Sequence, residues 1–223
     1  MWQALVDLRP ETGLVPITLA FLGGGHAGRP WDEGEFDDRC DLMSLHGVDA
    51  ARVLADNWDL KVPVDPDERD AEMAETIAPF GWDFPGLATG QDQALTEAEL
   101  ARALDWFKLA RIGLVPASRP ADVLAVIGLN DVNRNVDPAL PAAVLRSWED
   151  RFGAVLVEVG FAHIRLLARR PLRTLPDIQA VAAELWAMCG EFWPIDQPGT
   201  AFRYVDEIAE YITDTPIWSI WLD

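Results

Sequence analysis

The hydrophobic period changes several times between residue 112 and the end of the chain, and this order of periods most limits the fold. Ile178, Val181, Ala182, Leu185, Trp186 and Cys189 fall at i, i+3, i+4, i+7, i+8 and i+11, one apolar stripe along a helix. Ahead of it, Val155, Val157, Val159 and Phe161 alternate, and then Ile164, Leu166 and Ala168 do the same. Alternation marks strands with one buried face. The short link Phe161-Ala162-His163 joins the two as a hairpin. Helices with a single apolar stripe need a sheet to cover.

The neighbouring segments extend the pattern. Ile112 to Pro116 reads as a strand, and Pro120 with Asp122 opens a short helix through Ile127. Asp137-Pro138 is a helix start, an acidic cap followed by a proline that needs no N–H. Leu140, Val144, Trp148 and Phe152 recur at helical spacing, and Gly153 is placed to end the helix. Thr174 and Asp177 cap the helix that carries the stripe, and Gly190 closes it. A further helix from about Thr200 to Ile212 buries Val205, Ile208 and Ile212. Ile217 to Leu222 is a last strand, with Trp218 and Ile220 on one face and Ile217 and Trp221 toward the other. The predicted order over 111–223 is β-α-α-β-β-α-α-β. The fold class is α+β, a mixed β-sheet covered by amphipathic helices.

Residues 1–110 read as an acidic N-terminal extension or subdomain. Leu14 to Leu22 is a strand broken or edged by Pro16, Val48 to Trp58 a short helix, and 97–109 a helix with a Thr96/Glu99 capping box and a Leu95/Leu100 staple. Pro63, Pro66, Pro79 and Pro85 break most of the rest into loops. The 223-residue chain has a formal charge of −19, and the excess concentrates in 32–75, where 15 acids face four bases. Such a balance disfavours nucleic acid and anionic membrane as partners, because both need a basic face. The N-terminus shows no basic region followed by a long apolar one, so no secretory signal is expected, and no stretch reads as a membrane span. Cys40 and Cys189 are read as reduced thiols of a cytoplasmic protein.

No assembled reaction centre is legible. Gly23, Gly25 and Gly28 match G-x-G-x-x-G, but the following residues have no helical period and bring Asp32, Glu33 and Glu35 to where a phosphate would sit, so a turn is the reading. His26 and His46 with these carboxylates lack any metal-ligand spacing. The run Asp65 to Asp70 begins like a calcium loop but has Asp70 where glycine is required and Thr76 in place of the bidentate glutamate. No G-x-S-x-G occurs. His163 with an acid could serve as a base, against the plainer reading of a polar residue at a strand end. Arg165, Arg169, Arg170 and Arg173 are read as solvated and paired unless the fold gathers them. Catalytic residues, metal ligands and cofactors are therefore none. Ten tryptophans against two tyrosines is the unusual feature. Trp31, Trp58 and Trp193, with Asp32, Glu33 and Glu35, form the candidate binding set, since aromatics beside acids suit a basic protein partner. The competing reading is that these indoles pin loops to the core.

Arg119-Pro120-Ala121-Asp122-Val123-Leu124-Ala125-Val126-Ile127-Gly128, Leu145-Arg146-Ser147-Trp148-Glu149-Asp150-Arg151-Phe152-Gly153-Ala154, Val159-Gly160-Phe161 and the ending Trp218-Ser219-Ile220-Trp221-Leu222-Asp223 resemble the bacterial domain of unknown function 4253. The resemblance covers about 112–223. Thr12 to Pro16 and Gly28 to Trp31 look like the extension that often precedes that domain. Two places depart from the family pattern: Gly190, not proline, follows Cys189, and Ile220, not tryptophan, precedes Trp221. The resemblance implies the domain boundary and a bacterial cytosol, and it brings no activity and no catalytic residue. The expected function is a non-enzymatic acidic module that binds a basic protein, for example an immunity or inhibitor protein for a basic toxin. The alternative is a metal-assisted hydrolase or transferase using carboxylates and His26 or His46.

Overall fold

Strand β1 (Leu14–Leu19) comes from the acidic first part of the chain, yet it lies inside a five-stranded sheet. In the computed structural model, which describes residues 2–19, 40, 42–107, 111–128, 137–160, 163–189, 192–197 and 199–221, β1 is flanked by β2 (Ile112–Pro116), antiparallel, and β3 (Ala154–Val159), parallel. β4 (His163–Ala168) and β5 (Ile217–Trp221) follow antiparallel, giving the order β2-β1-β3-β4-β5. The sheet is mixed and the fold is α+β. Pro16 is tolerated because β1 pairs with β3 only at Thr18 and Leu19, so the missing N–H leaves no gap in a doubly paired ladder.

After β2, the helices α6 (Val123–Ile127), α7 (Ala139–Phe152), α8 (Leu175–Met188) and α9 (Val205–Asp214) fall in the predicted order. Gly153 ends α7 at φ 59°, where a side chain would be strained. The first part of the chain adds α1 (Trp2–Asp7), α2 (Arg9–Thr12), α3 (Ala50–Lys61), α4 (Ala71–Thr76) and α5 (Glu97–Leu104), the last with its Thr96/Glu99 box formed. The last predicted helix starts at Val205 rather than near Thr200, where the Glu207 carboxylate accepts from the Arg203 and Tyr204 amides. Leu140 is exposed, so the buried face of α7 runs through Val144, Trp148 and Phe152. None of the described helices is long and apolar enough to cross a membrane.

The two faces of the sheet are unequal. The larger core unites Val15, Ile17, Leu54 and Trp58 with Trp148, Phe152, Leu185 and Trp218. It joins both parts of the chain, so the division near 110 does not separate two cores. Each of these large apolar side chains contributes about 1.5–3 kcal/mol on burial. The smaller core holds Trp2, Ala103, Phe107, Val157, Leu167 and Ile217. A register shift between Leu156 and Glu158 breaks the expected alternation of β3. Val157 joins the smaller core, Val159 joins the larger one, and Glu158 comes to lie opposite Arg165. The shift is a bulge, which re-aims one side chain by adding a residue to one strand.

Candidate functional site

The acidic excess becomes a surface between α3 and the loop after α4. Asp56, Asp59, Asp65, Asp67, Glu68, Asp70, Glu72, Glu75 and Asp83 are all exposed. Among the described residues only Asp56 of these is ion-paired, with Arg52 at 3.6 Å. Lys61 and Arg69, the two cations of residues 53–83, both turn inward. The Lys61 ammonium donates to the carbonyls of Trp186, Ala187 and Cys189 at 2.7, 2.7 and 2.9 Å, closing the C-terminus of α8. Burial pushes its pKa down to about 8, with Cys189 pulling the other way. Arg69 lies over the Trp82 ring and donates to the Pro63 carbonyl. The abortive calcium loop resolves into helix starts, Asp65 accepting from the Asp67 amide and Asp70 from the Met73 amide. Leu60 and Val64 stand exposed among these carboxylates, at 84% and 76%.

Of the candidate binding residues, Trp31, Asp32, Glu33 and Glu35 lie outside the described residues, as do the glycine turn and His26. Trp58 is corrected: it is fully buried and cannot meet a partner. It follows Leu54 by one helical turn, packs edge-on against Trp186 at 4.9 Å, and donates its indole N–H to the Trp82 carbonyl. That is the loop-pinning role of an amphipathic ring. Trp193 is half-buried beside Trp221.

The residues that carry the family resemblance form a clamp. Arg119 reaches Glu149 and Asp150, and Arg146 donates to the buried Asp122 at 2.6 Å. Glu184 of α8 is fully enclosed. It accepts from Trp148 Nε1 at 2.7 Å, from Arg151 through both nitrogens at 2.8 and 2.6 Å, and from the Ala88 amide at 2.6 Å. Arg151 spends its Nε on Ser147 Oγ. Arg146, Trp148, Glu149, Asp150 and Arg151 are therefore occupied in tying α7 to its neighbours, while Ser147 orients Arg151 within the helix. Sequence reading placed Trp148 in the core but missed Glu184, because a glutamate on a buried face carries no periodic signal. Arg170 donates to the Gln91, Glu149 and Asp150 carbonyls, and Arg165 pairs with Glu158, so these two arginines of the run are spent within the fold.

A second buried carboxylate lies in the sheet itself. Register places Thr18, Glu158, Arg165 and Ser219 side by side across β1, β3, β4 and β5. Glu158 accepts from Arg165 Nη1 and faces His163 Nε2 at 3.4 Å. Burial pulls the Glu158 carboxyl up, but the bond to His163 and the charge of Arg165 outweigh it, holding the group below the ordinary range. Gly160 makes room for the imidazole, since a Cβ there would lie 2.0 Å from His163 Cε1. Trp221 stacks on that ring at 6.2 Å and 11°, and Trp193 tilts against Trp221 at 5.4 Å.

A cavity of about 750 Å³ forms a groove between α5, residues 171–173 and α9. Its wall mixes Arg102 and Arg173 with Glu99, Glu210 and Asp214. Burial, assisted by Asp196, pushes Tyr211 up to about 12, so its phenol stays protonated and is no base at neutral pH. Among the described residues no three His, Cys, Asp or Glu side chains gather as a metal site would require.

The model of a family described as Domain of unknown function (DUF4253) matches residues 111–223, just over half of the chain. No curated protein and no solved structure matches it.

Proposed function

The chain belongs to the DUF4253 family, and from that premise we propose that it is a non-enzymatic, cytoplasmic bacterial module that docks a basic protein, as an immunity or inhibitor protein for a cationic toxin would. The supporting observation is the exposed acidic face: nine carboxylates of residues 53–83 point to solvent while both cations of the same segment are withdrawn into the fold. Uncompensated charge of one sign raises the encounter rate with an oppositely charged partner and sets its orientation. Leu60 and Val64 give this face apolar area that a partner could desolvate.

A catalytically inactive basic ribonuclease serves as the probe. The reversal Asp59→Lys/Asp67→Lys/Glu68→Lys/Glu75→Lys spares the capping residues Asp65 and Asp70. A control reversal, Glu11→Lys/Asp105→Lys/Glu210→Lys/Asp214→Lys, changes net charge equally elsewhere. Calorimetry should show binding to the wild type and the control that weakens about tenfold or more between 50 and 300 mM salt, and none to the first variant. Equal loss in both variants would reduce the effect to net charge and sink the docking face.

A further inference from the structure

The acidic face leaves unexplained the polar row on the opposite side of the chemistry, in the sheet. Burying Glu158 against the partly exposed Arg165, on a sheet face that also carries Val157, Leu167 and Ile217, adds little stability over apolar residues of similar size. The row sits at the carboxyl ends of the parallel strands β1 and β3, the end of open sheets at which ligands are held.

The hydrogen-bond inventory is unbalanced there. Arg165 has five N–H donors. Its Nε goes to Ser219 Oγ at 3.3 Å and its Nη1 to Glu158, and these are its hydrogen bonds. The Trp193 indole N–H is buried and has no acceptor, alone in this among buried side-chain nitrogens and oxygens of the described residues. An unmet buried donor keeps its full desolvation penalty, so native structures supply an acceptor. Phe192 bridges Ile220 on the outer side of β5, which sets Trp193 beside Ser219, the partner of Arg165, at the end of the row. Trp193 and Trp221, both half-buried, pack on each other at 5.4 Å, and His163 stacks on Trp221. Glu158 already neutralises Arg165, so a further carboxylate or phosphate would be repelled by the row.

We propose that Arg165, Trp193 and Trp221 form a binding site for a small, neutral, planar heterocycle carrying carbonyl acceptors, its ring against the two indoles and its carbonyl oxygens on the Arg165 and Trp193 N–H groups. Glu158 and His163 act as positioning residues. Glu158 holds the guanidinium, and His163 supports the Trp221 ring. This site stands independently of the acidic face.

The test reads the atoms concerned. In ¹H–¹⁵N spectra of the full chain, Trp193→Phe assigns the Trp193 indole N–H among the tryptophan resonances. Nicotinamide and uracil are the neutral probes, benzoate the anionic one. Either neutral probe should shift the Trp193 indole and the Arg165 Nε–H saturably, with benzoate at least tenfold weaker. Arg165→Gln should weaken the neutral probe about tenfold or more while the indole spectrum of the remaining tryptophans stays that of the folded wild type. Absence of any saturable shift at Trp193 would overturn the proposal. So would a benzoate response equal to the neutral one, or binding unaffected by Arg165→Gln.

Discussion

Glu184 and Glu158 are both buried, and both accept from an arginine, but they stand in different environments. Glu184 sits between α7 and α8, where four N–H groups from three residues converge on its two oxygens and its arginine is spent in turn on Ser147 and the Ala88 carbonyl. Glu158 sits on a strand, beside an arginine with donors left over and a ring stack that ends at half-buried indoles. Charge and burial alone therefore do not separate a structural carboxylate from one that serves a site. The completeness of the partner's hydrogen bonds does.

The sharpest way to break this contrast is to remove each arginine. Arg151→Met leaves Glu184 enclosed without its cation and should cost about 3–5 kcal/mol in urea unfolding. An equal loss from Arg165→Met would erase the distinction, because Arg165 is partly exposed and Glu158 keeps His163 beside it.

Lys61 extends the comparison to a buried cation whose donors are all used. Its folded pKa of about 8 lies below the ordinary 10.5, so the unfolded chain binds the extra proton between those values. Stability should rise with pH from about 8 to 10.5, by about 3 kcal/mol at most. The Lys61→Met variant should lack this rise; parallel wild-type and variant curves over that range would contradict it.

Gly160→Ala tests whether the Glu158 region is held by shape. The added methyl would enter the His163 ring, so a cost of about 1–3 kcal/mol is expected, with movement of the Trp221 resonances. No resonance change would show that the ring stack is loose.

The smallest effect is expected from Glu158→Gln, about 1 kcal/mol near neutral pH. The folded-state pKa of Glu158 is depressed, so its contribution is present above the ordinary carboxylate range and lost as pH falls through the folded value. The gap between wild type and variant should close on acidification. A gap independent of pH would locate the effect in packing.

Much of the scaffold was legible beforehand because it rests on local rules. The stripe from Ile178 to Cys189 is buried along its length, and the Thr96/Glu99 box forms as spaced. Strand β2 runs from Ile112 to Pro116 as read, and the β-α-α-β-β-α-α-β order follows from periods of 3.6 and 2. The bulge at Val157 escaped, since alternation in β3 looked unbroken. Trp58 stands at what the sequence marks as a helix end, whereas α3 continues to Lys61 and turns that indole into the core.

What the sequence by itself determined is the class of fold, the charge of the acidic segment and the positions of helix caps, all properties of neighbours in the chain. Only the tertiary structure decided that β1 is inserted between β2 and β3, that Lys61 and Arg69 point inward and leave the carboxylates bare, that Glu158 meets Arg165, and that Trp193 rests against Trp221. Those outcomes depend on strand register and on which donors find acceptors outside the helical and strand repeats, and such pairings leave no period in the sequence.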